Sequence, residues 1–101
     1  MQRLGRDDKL PAEMQGTWVD AEDLSSELII EGGDIVCFGS PVAYDYKEIT
    51  HIDGATTVSL KVTNPDDEDA FQRENVTGLV ITPEGEFHAY NVKFASQFVR
   101  R

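Results

Sequence analysis

The sequence predicts an all-β domain: an antiparallel up-and-down meander of seven to eight strands closing into a small barrel. Three observations predict it. Short runs of β-branched and aromatic residues recur along the chain. Glycine turns of two or three residues separate several of them. Almost no segment carries the 3.6-residue apolar period of a helix. Closure into a barrel is favoured because it removes unpaired strand edges, and a two-sheet sandwich is the alternative.

Residues 1–9 are polar and charged, and are expected to form a flexible segment ahead of a single domain over 10–101. Leu10-Pro11-Ala12-Glu13-Met14 predicts one helical turn with proline near its start. The first strand runs from Gly16 to about Ala21. Leu28-Ile29-Ile30-Glu31, Gly32-Gly33 and Asp34-Ile35-Val36-Cys37-Phe38 predict a hairpin with a two-residue loop, since both glycines can take positive φ. Gly39-Ser40-Pro41 ends that strand.

A long strand is predicted from about Val42 to Ile52, turning at Asp53-Gly54 into Thr56 to Thr63. A two-residue loop pairs Lys47 with Leu60 and sets charge on the apolar face. A three-residue loop pairs Tyr46 with Leu60 and Tyr44 with Val62. A one-residue slip inverts every side chain, so hydrophobic pattern favours the three-residue loop. The stretch from Asn64 to Glu74 reads as a solvated loop, with four consecutive acids at 66–69 and at most a helical turn near 70–73. The last hairpin turns at Pro83-Glu84-Gly85, pairing Ile81 with Phe87, Leu79 with Ala89 and Gly78 with Tyr90. The Tyr90 ring is then expected to lie over Gly78 and fill the gap. Residues 95–101 supply a final short strand.

Charge narrows the partners. The formal net charge is −10, from 19 acidic and 9 basic residues. Nucleic acids and anionic membranes are bound by clustered Lys and Arg, so both are excluded as expected partners. Basic proteins and cationic ligands are not. Cys37 is the only cysteine, so no internal disulfide is possible. Residues 1–8 offer no signal-peptide core, and no run approaches the ~20 apolar residues of a membrane span. A reducing, cytoplasmic setting is the expectation.

Little in the chain points to chemistry. His51 and Asp53 could supply two metal ligands, but a site needs three or four. The acids at 66–69 lack the Asp-x-Asp-x-Asp-Gly spacing of a calcium loop. Cys37 shares a face with Leu28 and Ile35, as a buried, inert thiol would. No metal, no cofactor and no enzymatic activity are expected.

Gly16-Thr17-Trp18 opens the first strand after a possible helical turn, hairpins follow, and Arg100 and Arg101 close the chain. This resembles the calycin pattern of lipocalins and avidins, in which a Gly-x-Trp begins the first strand. The resemblance implies an antiparallel barrel, a structural role for Gly16 and Trp18, and Arg100 or Arg101 packed on the indole. By family habit it also implies a binding role.

Two hairpins carry apolar residues on both faces. Leu28, Ile30, Ile35 and Cys37 oppose Ile29, Val36 and Phe38, and Leu79, Ile81, Phe87 and Ala89 oppose Val76, Val80, Tyr90, Val92 and Phe94. A small domain rarely leaves so much apolar surface wet. A homodimer through these faces is expected, with cover by the N-terminal segment or Phe71 as the alternative. The leading functional expectation is a non-enzymatic β-barrel binding a small molecule at its mouth, lined by Trp18, Tyr44 and Tyr46. The alternative is an acidic homo-oligomeric interaction module acting through its surface on a basic protein partner.

Overall fold

Ten strands hydrogen-bond into one antiparallel sheet that curls into a half-barrel, in a computed structural model of residues 1–101. In chain order they are β1 (Gln2–Gly5), β2 (Gly16–Asp20), β3 (Glu27–Glu31), β4 (Asp34–Cys37), β5 (Ser40–Pro41), β6 (Tyr46–Ile52), β7 (Ala55–Lys61), β8 (Gly78–Ile81), β9 (Phe87–Tyr90) and β10 (Ala95–Arg100). Their order in the sheet is β1-β6-β7-β8-β9-β10-β2-β3-β4-β5. A 3₁₀ turn (Ala12–Met14) precedes β2, and one helix, α1 (Pro65–Glu74), links β7 to β8.

The all-β reading holds, but the closed barrel of seven or eight strands does not, and nor does the two-sheet sandwich. β5 and β1 are free edges of one sheet. The break falls in the segment read as one long strand from Val42 to Ile52. Pro41 has no N–H for a further ladder, and β5 stops there after two residues. The chain then runs irregularly to Tyr46, so no ladder joins β5 to β6. The place beside β6 is taken by β1, which pairs Gln2 with Ile49 and Gly5 with Tyr46. That strand lies within the segment 1–9 expected to be flexible.

Two turns follow their sequence signals. Pro83-Glu84-Gly85 joins β8 to β9 with Ile81 opposite Phe87 and Gly78 opposite Tyr90. Gly85 takes φ +88° there. A Cβ on Gly78 would sit 2.1 Å from Tyr90 Cζ, so the ring does lie over the glycine. In the Gly32-Gly33 turn only Gly32 is left-handed, at φ +62°. Gly33 is needed for a different reason: a Cβ on it would lie 2.5 Å from the carbonyl oxygen of Arg6 and 2.9 Å from that of Asp8.

The register of β6 against β7 corrects the sequence reading. Asp53-Gly54 is a two-residue loop, with both residues at positive φ as in a type I′ turn. Lys47 therefore pairs with Leu60, Ile49 with Val58, and Tyr46 with Lys61. Lys47 points inward and is 0 % exposed, whereas Tyr46 points outward. The hydrophobic pattern failed because the inner face accepts one charge. The Lys47 ammonium donates to the carbonyls of Gly5 (2.7 Å) and Arg6 (3.3 Å) and to the Tyr44 hydroxyl (3.2 Å). That hydroxyl in turn donates to the Gly33 carbonyl at 2.5 Å.

The acidic stretch read as a loop is helical. Asn64 caps it by accepting from the Asp66 amide at 3.0 Å, and Pro65 stands at the first helical position. Asp66, Asp67 and Glu68 in the first turn favour the positive end of the helix dipole. Arg73 pairs with Asp69 one turn earlier at 3.1 Å. Only Phe71 is buried, which is why no apolar period announced the helix.

The concave side of the sheet is filled. Eighteen buried residues form one cluster, from Leu10 and Met14 through Trp18, Leu28, Val58 and Leu79 to Phe87 and Phe98. Gly33→Ala tests the seam between the sheet edges. The new methyl meets backbone rather than a movable side chain, so a loss of about 2–3 kcal/mol is expected in urea unfolding. Gly32→Ala, with open space around its Cβ, should cost less.

Candidate functional site

The antiparallel order sends alternate connections to opposite ends of the half-barrel. One rim gathers the β2–β3 and β4–β5 connections, α1 and the β9–β10 turn. The other gathers the β3–β4, β6–β7 and β8–β9 turns. The first rim is both acidic and apolar. Residues 20–27 and 65–74 carry nine carboxylates and one cation, Arg73, and the β9–β10 turn adds Lys93. Leu24, Phe38, Val92 and Phe94, four of the exposed large apolar side chains, also stand there.

A cleft of about 220 Å³ opens in this rim. Cys37, Phe38, Ser40 and Val42 line it from one stretch of the chain, Glu74, Asn75 and Val76 from a second, and Phe94 from a third. Val42 and Val76 are buried, whereas Phe38 is 51 % and Phe94 36 % exposed. Phe94 owes its place to Asn91, whose side-chain oxygen accepts from the amides of Lys93 (2.7 Å) and Phe94 (3.0 Å) and turns the chain. That turn ends β9 at Tyr90, so Val92 and Phe94 are loop residues and not part of a strand face. Phe38 stands first in the two-residue β4–β5 loop at φ +53°, with Gly39 at +84°. The same backbone is taken at Asp53-Gly54 by a residue that suits it. A phenylalanine held left-handed costs on the order of 1 kcal/mol or more.

The opposite end holds Trp18. Its indole is buried, donates to the Met14 carbonyl at 3.0 Å and packs on Phe87 with ring centroids 4.4 Å apart. The Arg100 guanidinium lies 4.2 Å over the indole and donates to the carbonyls of Gln15 and Glu13. Gly16, at φ +120°, makes room for it, since a Cβ there would meet Arg100 at 2.6 Å. Arg101 pairs instead with Glu27.

The three aromatics expected to line a mouth do not share one. Trp18 lines a shallow cleft at its own end, while Tyr44 and Tyr46 line none of the surface clefts. Tyr44 is buried, under Arg6 (4.7 Å to the ring) and bonded to Gly33. Tyr46 lies on the convex face beneath Arg3 at 4.0 Å. Of the cleft residues, Phe94 is among the aromatics the sequence offers as pocket lining, whereas Phe38 and Glu74 were missed; the three come from connections remote in the chain. The available signal was a phenylalanine before glycine in a tight turn.

Other polar groups are occupied or scattered. Burial pulls the Lys47 ammonium below its ordinary value, and the Arg6 charge adds to this, while Asp8 and Asp7 partly offset it. No surface cleft reaches Lys47, so it is a structural donor. His51 is bonded to Thr56 at 3.1 Å, and His88 lies 3.5 Å from Glu86. No three His, Cys, Asp or Glu side chains converge as a metal site would need. No histidine lines the cleft beside Cys37.

Burial pushes the Cys37 thiol up to about 11 from an ordinary 9.0. The folded chain therefore holds this proton more tightly than the unfolded chain. Its contribution to stability is complete below pH 9 and is lost as pH rises towards 11. A fall of about 2 kcal/mol is expected across that window in pH-dependent unfolding. It should be absent in Cys37→Ala, and thiol-directed reagents should react slowly with the native chain at neutral pH. No protein-family model, no curated protein and no solved structure matches the chain.

Proposed function

We infer that this domain is a non-enzymatic interaction module that binds a basic protein partner through its acidic rim. One observation carries the reading: eighteen buried side chains fill the concave side, the enclosed rim cleft of about 220 Å³ is smaller than an ordinary ligand site, and the larger depressions, about 440 Å³ beside Trp18 and about 550 Å³ beside Leu10, are wide and shallow. Such sites span roughly 300–1,000 Å³. A cleft of this size suits one side chain of a partner. The charge of −10 would speed encounter with a cationic surface and disfavour acidic competitors. The small-molecule reading, with Trp18, Tyr44 and Tyr46 as lining, is weaker because those residues occupy separate places. The Gly16-Thr17-Trp18 start with Arg100 over the indole supports a calycin-like ancestry as a proposal about the fold. The unpaired Cys37 thiol fits the cytoplasmic setting proposed from the sequence.

A homodimer is a second reading. Ile29 and Val36 are directly paired on the convex face of β3 and β4 and are only half-buried within one chain. Mutual repulsion between two chains of charge −10 weighs against it.

Fluorescence anisotropy with a short blocked peptide of alternating arginine and leucine tests the leading reading. Binding that weakens steeply as salt rises is expected, with none for the same peptide carrying glutamate. No binding to the arginine peptide, or a clear thermal shift with small apolar compounds alone, would overturn it. Light scattering tests the dimer, since a uniform species of 11.3 kDa at micromolar concentration removes it.

A further inference from the structure

We propose that the rim cleft is a socket for one cationic side chain, arginine or lysine, of the basic partner, and that Phe38 is held in its strained turn to wall that socket. The proposal rests on the interaction-module reading and names its contact point.

The cleft has a mostly apolar lining with one acidic residue in it. Phe38, Val42, Val76 and Phe94 supply the apolar part. Glu74 is the one acidic residue of the lining. Glu74 and Asn75 are also where α1 ends, and the carbonyl end of a helix attracts cations. An arginine or lysine has the matching anatomy, an aliphatic stem with a charged head. Its stem would lie between the two phenylalanines, where a guanidinium can also stack on a ring. Its head would meet Glu74. A purely apolar anchor would leave the carboxylate unused, and an acidic one would be repelled by it.

The turn at Phe38 supports the same assignment. Phe38-Gly39 and Asp53-Gly54 are two loops of one type in one chain. Asp53 is a residue the left-handed position tolerates, and Phe38 is not. Packing explains part of its presence, since the ring is tilted 6.5 Å from that of Phe98. Half of its surface is nevertheless open, beside the cleft. Local strain at an exposed aromatic is the pattern of a residue kept for contact rather than for folding.

The test uses the whole chain and the arginine–leucine peptide. Phe38→Asn, Phe94→Ser and Glu74→Gln should each weaken binding about tenfold or more. Leu24→Ser, at the same rim but outside the cleft, should leave it unchanged. Phe38→Asn should melt no lower than the parent chain, because asparagine suits the turn. N-acetyl-arginine amide should compete with the peptide. If the parent binds the peptide but the three cleft variants bind equally well, the socket falls while the interaction reading stands. If the parent does not bind, the reading itself falls. A Phe38→Asn chain that melts many degrees lower overturns the argument from strain.

Discussion

A buried ammonium ties the β1 edge of this sheet to the chain that runs between β5 and β6. A curled sheet that does not close must hide or wet the unpaired groups of its edge strands. Here no ladder spans β5 and β6, and β1 with the chain beyond it lies in the seam. Lys47 reaches from β6 to the carbonyls of Gly5 and Arg6, and to the Tyr44 hydroxyl, which reaches on to Gly33 at the β3–β4 turn. Arg6 donates to Gly33 at 2.7 Å and pairs with Asp34 at 2.9 Å. The Leu10 amide closes on Gly32 at 2.9 Å. Each bond is modest alone, but an unmet buried donor or acceptor costs about 1–3 kcal/mol.

This arrangement is what favours the rim in the proposed reading. With Tyr44 and Lys47 engaged in the seam and Trp18 capped by Arg100, the aromatic groups of the concave face are committed to structure. The proposed function therefore lies at a rim. There, short connections project side chains that no neighbouring strand covers, which is how loops on a rigid scaffold come to carry contacts. The rim combines carboxylates, which cannot pack together, with phenylalanines that solvent does not favour. The basic partner proposed above, with its aliphatic stems, would satisfy both.

Several elements were legible because their signals are local. Pro83-Glu84-Gly85 names its own turn, since proline and glycine restrict φ regardless of the rest of the fold, and the whole β8–β9 register follows. Gly32-Gly33 likewise placed β3 against β4, although Gly33 serves a close backbone contact invisible in the sequence. The helix at 65–74 hid because it buries one residue, so its caps and first-turn acids were read as loop chemistry. The cleft hid because Phe38, Glu74 and Phe94 are brought together only by the curl of the sheet.

The sequence by itself determined the class of fold, the hairpins and the acidity, since these depend on short-range sterics and on composition. Tertiary structure decided the Asp53-Gly54 register, the open seam and the place of every candidate ligand group. The reason is one of range. An inward Lys47 is unfavourable by pattern and acceptable only when two distant carbonyls join the nearby Tyr44 hydroxyl around it, and only the folded chain brings them there.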